Sequence, residues 1–431
     1  MNEVTIIGGG LAGTEAAWQA ARLGVKVSLF EMKPVRFSPA HHNAGLAELV
    51  CSNSFKAMSL ENAGGLLKEE LRLLGSLVME AAVNSRVPAG SALAVDREAF
   101  SKLVTSRLVD AGVRIIRGEV VEMPAGRPLV IATGPLTSDA FALAIGKLVG
   151  KEYLHFYDAV APIVHADSVD MSVAFFASRY DKGGADYINC PMDERAYNEF
   201  VTALLNADHV EARSFEEIKY FEGCLPMEVM AGRGLMTLAY GPMKPVGITD
   251  PRTGKRPFAI VQLRKENAAG TLYNLVGFQT RLTFEAQKKV FCVIPGLADA
   301  KFARFGKMHR NSYIDSPRLL DAACALRSDP SVFFAGQMTG VEGYSESTAS
   351  GLIAGINAAR SAKGLSAVTP PDTTMLGALQ RHISDAGITD FQPMNSSFGL
   401  LPPIDCKKKE RKSLLAWRAL KDMAEWAGKI A

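Results

Sequence analysis

Val4-Thr5-Ile6-Ile7-Gly8-Gly9-Gly10-Leu11-Ala12-Gly13 decides the fold. The first four residues form the short apolar run expected of a buried parallel strand. The glycines break it. Leu11 to Leu23, rich in alanine and with apolar residues at helical spacing, predicts a helix that Gly24 stops at its C-terminal side. Val25, Val27 and Leu29-Phe30 form a second strand ending in Glu31, which completes a βαβ unit. Gly8, Gly10 and Gly13 hold the three positions of a dinucleotide-binding turn. The first allows the tight turn, the second lets a pyrophosphate approach the backbone, and the third lets helix and strand pack closely. The helix start then offers free N–H groups and the positive end of its dipole to phosphate. Glu31 stands where a carboxylate accepts hydrogen bonds from both hydroxyls of a ribose. Three such glycines alone are a weak signal. Flanking strands, Ala17 on the helix and Glu31 at its proper distance make it specific.

Outward from this unit, residues 32–65 are rich in Pro, His, Asn, Ser and Gly and predict a long functional loop with at most a short helix. Residues 66–85 predict one helix. Leu129-Val130-Ile131 is a further buried strand, followed by Ala132-Thr133-Gly134. From about 155 to 305, aromatics, prolines and alternating patterns (Phe258 to Leu263, Thr271 to Phe278) predict an inserted α+β domain. The buried-strand texture returns at Val332-Phe333-Phe334-Ala335, then Gly336, with a helix of small residues from Ser347 to Ala362. Thr133-Gly134 resembles the second motif of flavin domains, which closes over the adenine half. Phe334-Ala335-Gly336 resembles the third, which brings a helix end to the ribityl chain. Three such segments fit FAD better than a nicotinamide dinucleotide. The expected class is α/β: a Rossmann-like FAD-binding domain built from 1–154 and 305–431, with an inserted α+β domain at 155–304.

Of the 431 residues, 48% are hydrophobic and 22% charged, enough apolar material for a packed core and against global disorder. The net charge of +3 neither demands nor excludes a nucleic-acid partner. The six cysteines contain no C-x-x-C pair, so neither a clustered zinc site nor a thioredoxin-like dithiol is indicated, and no metal is expected. No run of 18 apolar residues occurs and a strand begins at residue 4, so neither a spanning helix nor a signal segment is expected, and the cytoplasm is the expected compartment. Oligomeric state is not legible.

Several stretches are not generic: Glu48-Leu-Val-Cys51-Ser-Asn53-Ser54, Gly75-Ser-Leu-Val-Met-Glu80, Val87 to Arg97, Asp186-Tyr-Ile-Asn-Cys190-Pro-Met, Tyr240-Gly-Pro-Met-Lys-Pro-Val-Gly, Met308-His309-Arg310-Asn311 and Gly340-Val-Glu-Gly-Tyr-Ser-Glu346. Together they resemble the folate- and FAD-dependent tRNA (uracil-5-)-methyltransferase family, related to the GidA flavoproteins, over residues 1 to about 405. The resemblance implies conversion of the T-loop uridine of tRNA to 5-methyluridine. The carbon would come from 5,10-methylenetetrahydrofolate and the electrons from FADH2 renewed by NADH or NADPH, without S-adenosylmethionine.

Uracil C5 is a poor nucleophile. A thiolate adding to C6 makes an enolate, after which C5 attacks the folate methylene and a base removes the C5 proton. By resemblance Cys224 is the nucleophile and Cys51 the thiol beside the flavin, a candidate base. A free thiol needs about 2 kcal/mol to ionise at neutral pH, which a nearby cation or helix start can supply; Lys244 and His309 are candidates by resemblance. Core packing by Phe221 and Leu225 is the plain alternative for Cys224. Cys190, Cys292 and Cys324 read as small buried hydrophobes. His309 is expected to stack on the pterin or to be structural. Glu346 and Glu342 are expected to bond a pterin amino group or to cap the following helix.

For RNA, Lys407 to Lys412 and Arg252 to Arg256 with Arg264-Lys265 are candidate contacts, each equally readable as a solvated surface. Tyr240, Phe258 and Tyr273 are candidate stacking residues for a splayed base. The same chemistry on a uridine of 23S rRNA stays open. So do a flavin disulfide oxidoreductase using Cys51 and Cys224, and a non-catalytic RNA-binding flavoprotein.

Overall fold

The expected βαβ unit is β1 (Glu3–Ile7), α1 (Leu11–Arg22) and β2 (Lys26–Glu31). The computed structural model describes residues 3–150, 154–181, 184–210, 225–389 and 391–430. After β2 come β3 (Ser54–Ala57), α2 (Ala63–Leu73), α3 (Leu77–Asn84), β4 (Arg86–Val87), β5 (Ala92–Val95) and α4 (Arg97–Asp110), then β6 (Arg114–Arg117), β7 (Leu129–Ile131) and α5 (Asp139–Val149). The next stretch holds β8 (Leu154–Ala159), β9 (Ile163–His165), β10 (Phe175–Ala177), β11 (Tyr187–Met192), α6 (Glu194–Leu205), α7 (Met227–Gly232) and α8 (Thr237–Tyr240). It continues with β12 (Ala259–Lys265), β13 (Leu272–Leu275), α9 (Phe284–Phe291), β14 (Phe302–Arg304) and β15 (Met308–Tyr313). The chain closes with α10 (Ser316–Leu319), β16 (Ala325–Leu326), β17 (Asp329–Phe334), α11 (Tyr344–Ala362), α12 (Met375–Ser384) and α13 (Arg411–Ile430).

The first sheet runs β16-β17-β7-β1-β2-β6, parallel throughout except for the β16–β17 hairpin. Its strands are apolar runs because helices cover it. α1 lies against α11 with backbones nearly touching: a Cβ on Gly351 would fall 2.2 Å from Ala12 O, and one on Gly355 2.4 Å from Ala16 O. That close approach is why the helix after Gly336 is built of small residues. It starts at Tyr344, three residues before the expected Ser347. The helix expected over 66–85 is two helices. Gly75 adopts φ +69° and Ser76 caps α3 by accepting from Met79 N. Two fully buried carboxylates act as caps from a distance: Glu15 accepts from Val78 N at the start of α3, and Glu70 from Met375 N and Leu376 N at the start of α12.

The second sheet, β10-β11-β12-β13-β9-β14, is antiparallel, and its strands fall within the segment expected to be inserted. Tyr197 and Phe200 of α6 and Phe291 of α9 fill its core, together with Phe278. β8 and β15 form a separate antiparallel pair. Among the described residues no helix is long and apolar enough to cross a membrane.

Candidate active site

Carboxyl ends of β1, β2, β7 and β17 open on a cleft whose lining includes Gly8 to Ala12, Glu31, Cys51, Thr133-Gly134, Gly336 and Tyr344. Ligands of open parallel sheets bind at this end. The glycine turn tests whether a dinucleotide fits. A Cβ on Gly13 would sit 1.8 Å from Gly8 O, so that glycine is needed for helix and strand to meet. Gly10 is different: its φ of −77° suits any residue, and a Cβ there meets no protein atom within 4 Å. The fold alone gives no reason for a glycine at this position; a phosphate close to the backbone does. Gly10 also caps α1 without a side chain, leaving the first N–H groups of α1 free for an anion. Glu31 is buried, with Oε2 accepting from Gly9 N at 2.8 Å and Oε1 from Lys33 N at 2.9 Å. Each oxygen keeps a second lone pair for a ribose hydroxyl. Thr133 and Gly134 line the cleft beside this turn, a Cβ on Gly8 falling 2.8 Å from Thr133 Cα, and Gly336 (φ +83°) is tied to α11 by its N–H to Ser350 Oγ at 2.7 Å. The residues present therefore fit a dinucleotide.

Cys51 reaches the same cleft on the long loop, which is held from three directions. Tyr344 Oη accepts from Cys51 N at 2.9 Å and Ser52 N at 3.0 Å, and donates to Ser52 O at 2.9 Å. Arg97 Nη1 donates to Leu49 O at 2.5 Å while its Nε pairs with Glu266 Oε2 at 2.8 Å. Arg304 Nη1 donates to Val50 O at 3.2 Å. Burial, and then Arg97, pull the Arg304 guanidinium down to about 10. Burial pushes the Tyr344 hydroxyl well above its ordinary value, and Cys51 adds to that. Arg264, buried, donates to Asn53 Oδ1 at 3.0 Å. The thiol thus sits among three guanidiniums, of Arg97, Arg264 and Arg304, with the Glu266 carboxylate paired to the first.

Sequence reasoning gives no role to Arg97, Arg304, Glu266 or Tyr344, although Arg97 and Tyr344 lie in the distinctive stretches. Arg97→Met strands Glu266, which is 3% exposed, without its closest partner. The expected cost is about 2–3 kcal/mol, below the full penalty of a broken buried pair because Arg264 and Arg304 stay nearby. Denaturant melts check it; a variant as stable as the parent shows the bridge to be idle.

Other expected residues fall as follows. Cys224 lies outside the described residues, as does the side chain of His309, whose backbone is in β15. Glu346 is buried in the first turn of α11 and accepts from Ser396 N and Oγ; it is not among the residues lining the cleft and does not cap the helix. Glu342 accepts from Gln337 Nε2. Lys244 is exposed, beyond α8. Cys190 and Cys324 are fully buried, and burial pushes the Cys190 thiol up to about 12 and the Cys324 thiol higher still, which suits packing and not catalysis. Of the candidate RNA contacts, Lys407 to Lys412 are exposed. In the second basic segment Arg264 is buried and Arg252 is paired with Asp250 at 2.8 Å, whereas Lys255 and Arg256 are exposed. Tyr273 is buried and Phe258 packs on the Tyr197 ring, which leaves Tyr240, 80% exposed, as the one of the three expected stacking residues that reaches solvent.

The family model described as "Glucose inhibited division protein A" matches residues 3–366. The protein named methylenetetrahydrofolate–tRNA-(uracil-5-)-methyltransferase TrmFO from Geotalea uraniireducens is 58% identical over 428 residues, 98% of either chain. Its namesake from Heliobacterium modesticaldum is 59% identical over 424 residues, 97% of either. Among solved structures, Aquifex aeolicus GidA in its form I crystal superposes with a TM-score of 0.71 at 17% identity, covering 99% of this chain and 76% of that one, a likeness of fold. With that match to the family model, and identity of this order over nearly the whole of both chains, the protein belongs to the GidA family and, within it, to the TrmFO family.

Proposed function

We propose that the protein is an FAD-dependent enzyme that makes 5-methyluridine in the T loop of tRNA, taking the carbon from 5,10-methylenetetrahydrofolate and its reducing power from NADH or NADPH. One observation carries this reading: Cys51, on a loop of its own, is delivered into the cleft that the glycine turn, Thr133-Gly134 and Gly336 shape for a dinucleotide. Relatives at 58–59% identity bear the name of that methyltransferase.

In this reading Gly8, Gly10, Gly13 and the start of α1 hold the pyrophosphate and Glu31 the ribose. Bound there, FADH2 supplies the hydride that turns an exocyclic methylene into a methyl group. Cys224 adds through sulfur to uracil C6, and the resulting C5 carbanion takes the folate methylene. Cys51, which stands among Arg97, Arg264 and Arg304, removes the C5 proton, so that the folate nitrogen leaves with the electron pair of its C–N bond. The Cys224 thiolate departs after reduction and restores the C5–C6 double bond. Tyr344 and Arg97 position the Cys51 loop; His309 is assigned to the folate.

The test is an unmodified tRNA transcript incubated with methylenetetrahydrofolate, NADH and the flavin-loaded enzyme, read by nucleoside mass spectrometry. One new 5-methyluridine at the T loop is expected. Methylation that requires S-adenosylmethionine, or that appears only on 23S rRNA fragments assayed in parallel, overturns the mechanism or the substrate respectively.

A further inference from the structure

The chain behind the cleft carries a ladder of aromatic rings with no part in the chemistry above. Phe291 is buried in the core of the second sheet, with Phe302 at 6.4 Å. Phe302 stacks on Phe305 at 5.1 Å and Phe305 on Phe284 at 5.0 Å, both pairs within 20° of parallel. The outermost ring, Phe284, is 48% exposed. Lys288 Nζ lies 5.7 Å from the Phe305 centroid and Lys307 Nζ 5.8 Å from that of Phe284. Both lysines are exposed.

Three features make this a binding platform and not a stray apolar patch. Its mounting is rigid: Thr283 caps α9, and Gln287 fixes the turn after Phe305 by bonding Gly306 through both its oxygen (2.7 Å) and its nitrogen (2.9 Å). Its charge is one-sided: residues 281–307 hold six Lys or Arg (281, 288, 289, 301, 304, 307) against Glu285 and Asp299, an excess larger than the net +3 of the whole chain. Its position is at the site: Arg304, next to Phe305, holds the Cys51 loop, and Lys307 O accepts from Val160 N at 2.8 Å, where Val160 lines the cleft.

We infer that Phe284, backed by Phe305 and flanked by Lys288 and Lys307, is a stacking platform for an unpaired base of the RNA substrate, the lysines meeting the adjoining phosphates. A flat ring held face-on by a second ring matches any base, and exposed ammonium groups beside it match the backbone charge. Lys307 is flexible enough to pass from the ring to a phosphate when a base arrives. An apolar protein partner would gain nothing from the lysines. The inference rests on the reading of the protein as an RNA-modifying enzyme and adds to it a surface for the RNA beside the cleft.

The test uses flavin-loaded enzyme and fluorescence anisotropy of an unmodified tRNA transcript. Phe284→Leu keeps apolar bulk against Phe305 but removes the π face. Affinity is expected to fall about 5- to 150-fold, the range for losing one base–aromatic stack, with KM for tRNA rising in step and kcat and flavin content unchanged. Phe284→Trp restores both values. Lys288→Gln with Lys307→Gln flattens the dependence of log affinity on log salt by about 0.7 for each phosphate no longer neutralised. A leucine variant that binds like the parent, or a tryptophan variant as weak as leucine, overturns the platform while methylation by the parent enzyme stands. A parent enzyme that binds tRNA but never methylates it overturns the catalytic reading instead, and the anisotropy series still decides the platform.

Discussion

Cys224→Ala is expected to abolish both 5-methyluridine formation and the covalent adduct that 5-fluorouridine tRNA traps, whereas Cys51→Ala is expected to abolish turnover and leave the adduct. The argument is one of bond order. Attack at C6 must come first, because C5 becomes nucleophilic only when sulfur supplies electrons to the ring. Loss of the C5 proton comes after C5 has bonded to the folate methylene. Fluorine at C5 cannot leave as a cation, so the reaction halts with sulfur still on C6, and denaturing gels show a slower protein band. In the proposed mechanism Cys224 makes that bond and Cys51 serves the step that fluorine blocks. Each variant should lose at least about a thousandfold in rate, about 4 kcal/mol of barrier, with flavin content intact. An adduct in the Cys224 variant would move the nucleophile elsewhere. An adduct lost only in the Cys51 variant would exchange the two roles.

Cys51 also shows how far the sequence could be read. Its loop stood out because residues 32–65 are too long and polar to be an ordinary connection, but nothing local shows what holds it. The hydrogen bond between Tyr344 and Cys51 spans 293 residues and the Arg97–Glu266 pair 169; such partners have no periodic signature. The βαβ unit, β7 and β17 were legible because a buried parallel strand must be an apolar run and a covering helix must repeat at its own period. The helix over 66–85 failed for the same reason: Leu71, Leu74, Leu77 and Val78 keep the period across the break between α2 and α3. Gly75-Ser76, a positive-φ stop followed by a cap, was the available signal. Arg264 read as surface charge because an arginine buried against Asn53 and one facing solvent are identical in sequence. The Phe284 ladder escaped notice because its members come from α9, β14 and the turn after it, with no common spacing.

The glycine turn gives the sharpest separation of fold from cofactor. Gly10→Leu is expected to yield folded, colourless protein. At φ −77° and ψ −169° the backbone is ordinary extended chain, and a Cβ meets nothing within 4 Å, so the protein part of the structure accepts the side chain. What the leucine fills is the space between the backbone and the pyrophosphate. FAD affinity should drop by at least about 100-fold, some 2.7 kcal/mol. The variant should then melt with the parent stripped of flavin, and below the flavin-loaded parent by the linkage between ligand affinity and stability. Gly13→Val is the contrasting control. Its Cβ would lie 1.8 Å from Gly8 O, so α1 and β1 must separate, and the flavin-free protein itself is destabilised. A Gly10→Leu protein that purifies yellow, and releases FAD on acid treatment at the parental ratio, would mean that no phosphate lies against this turn.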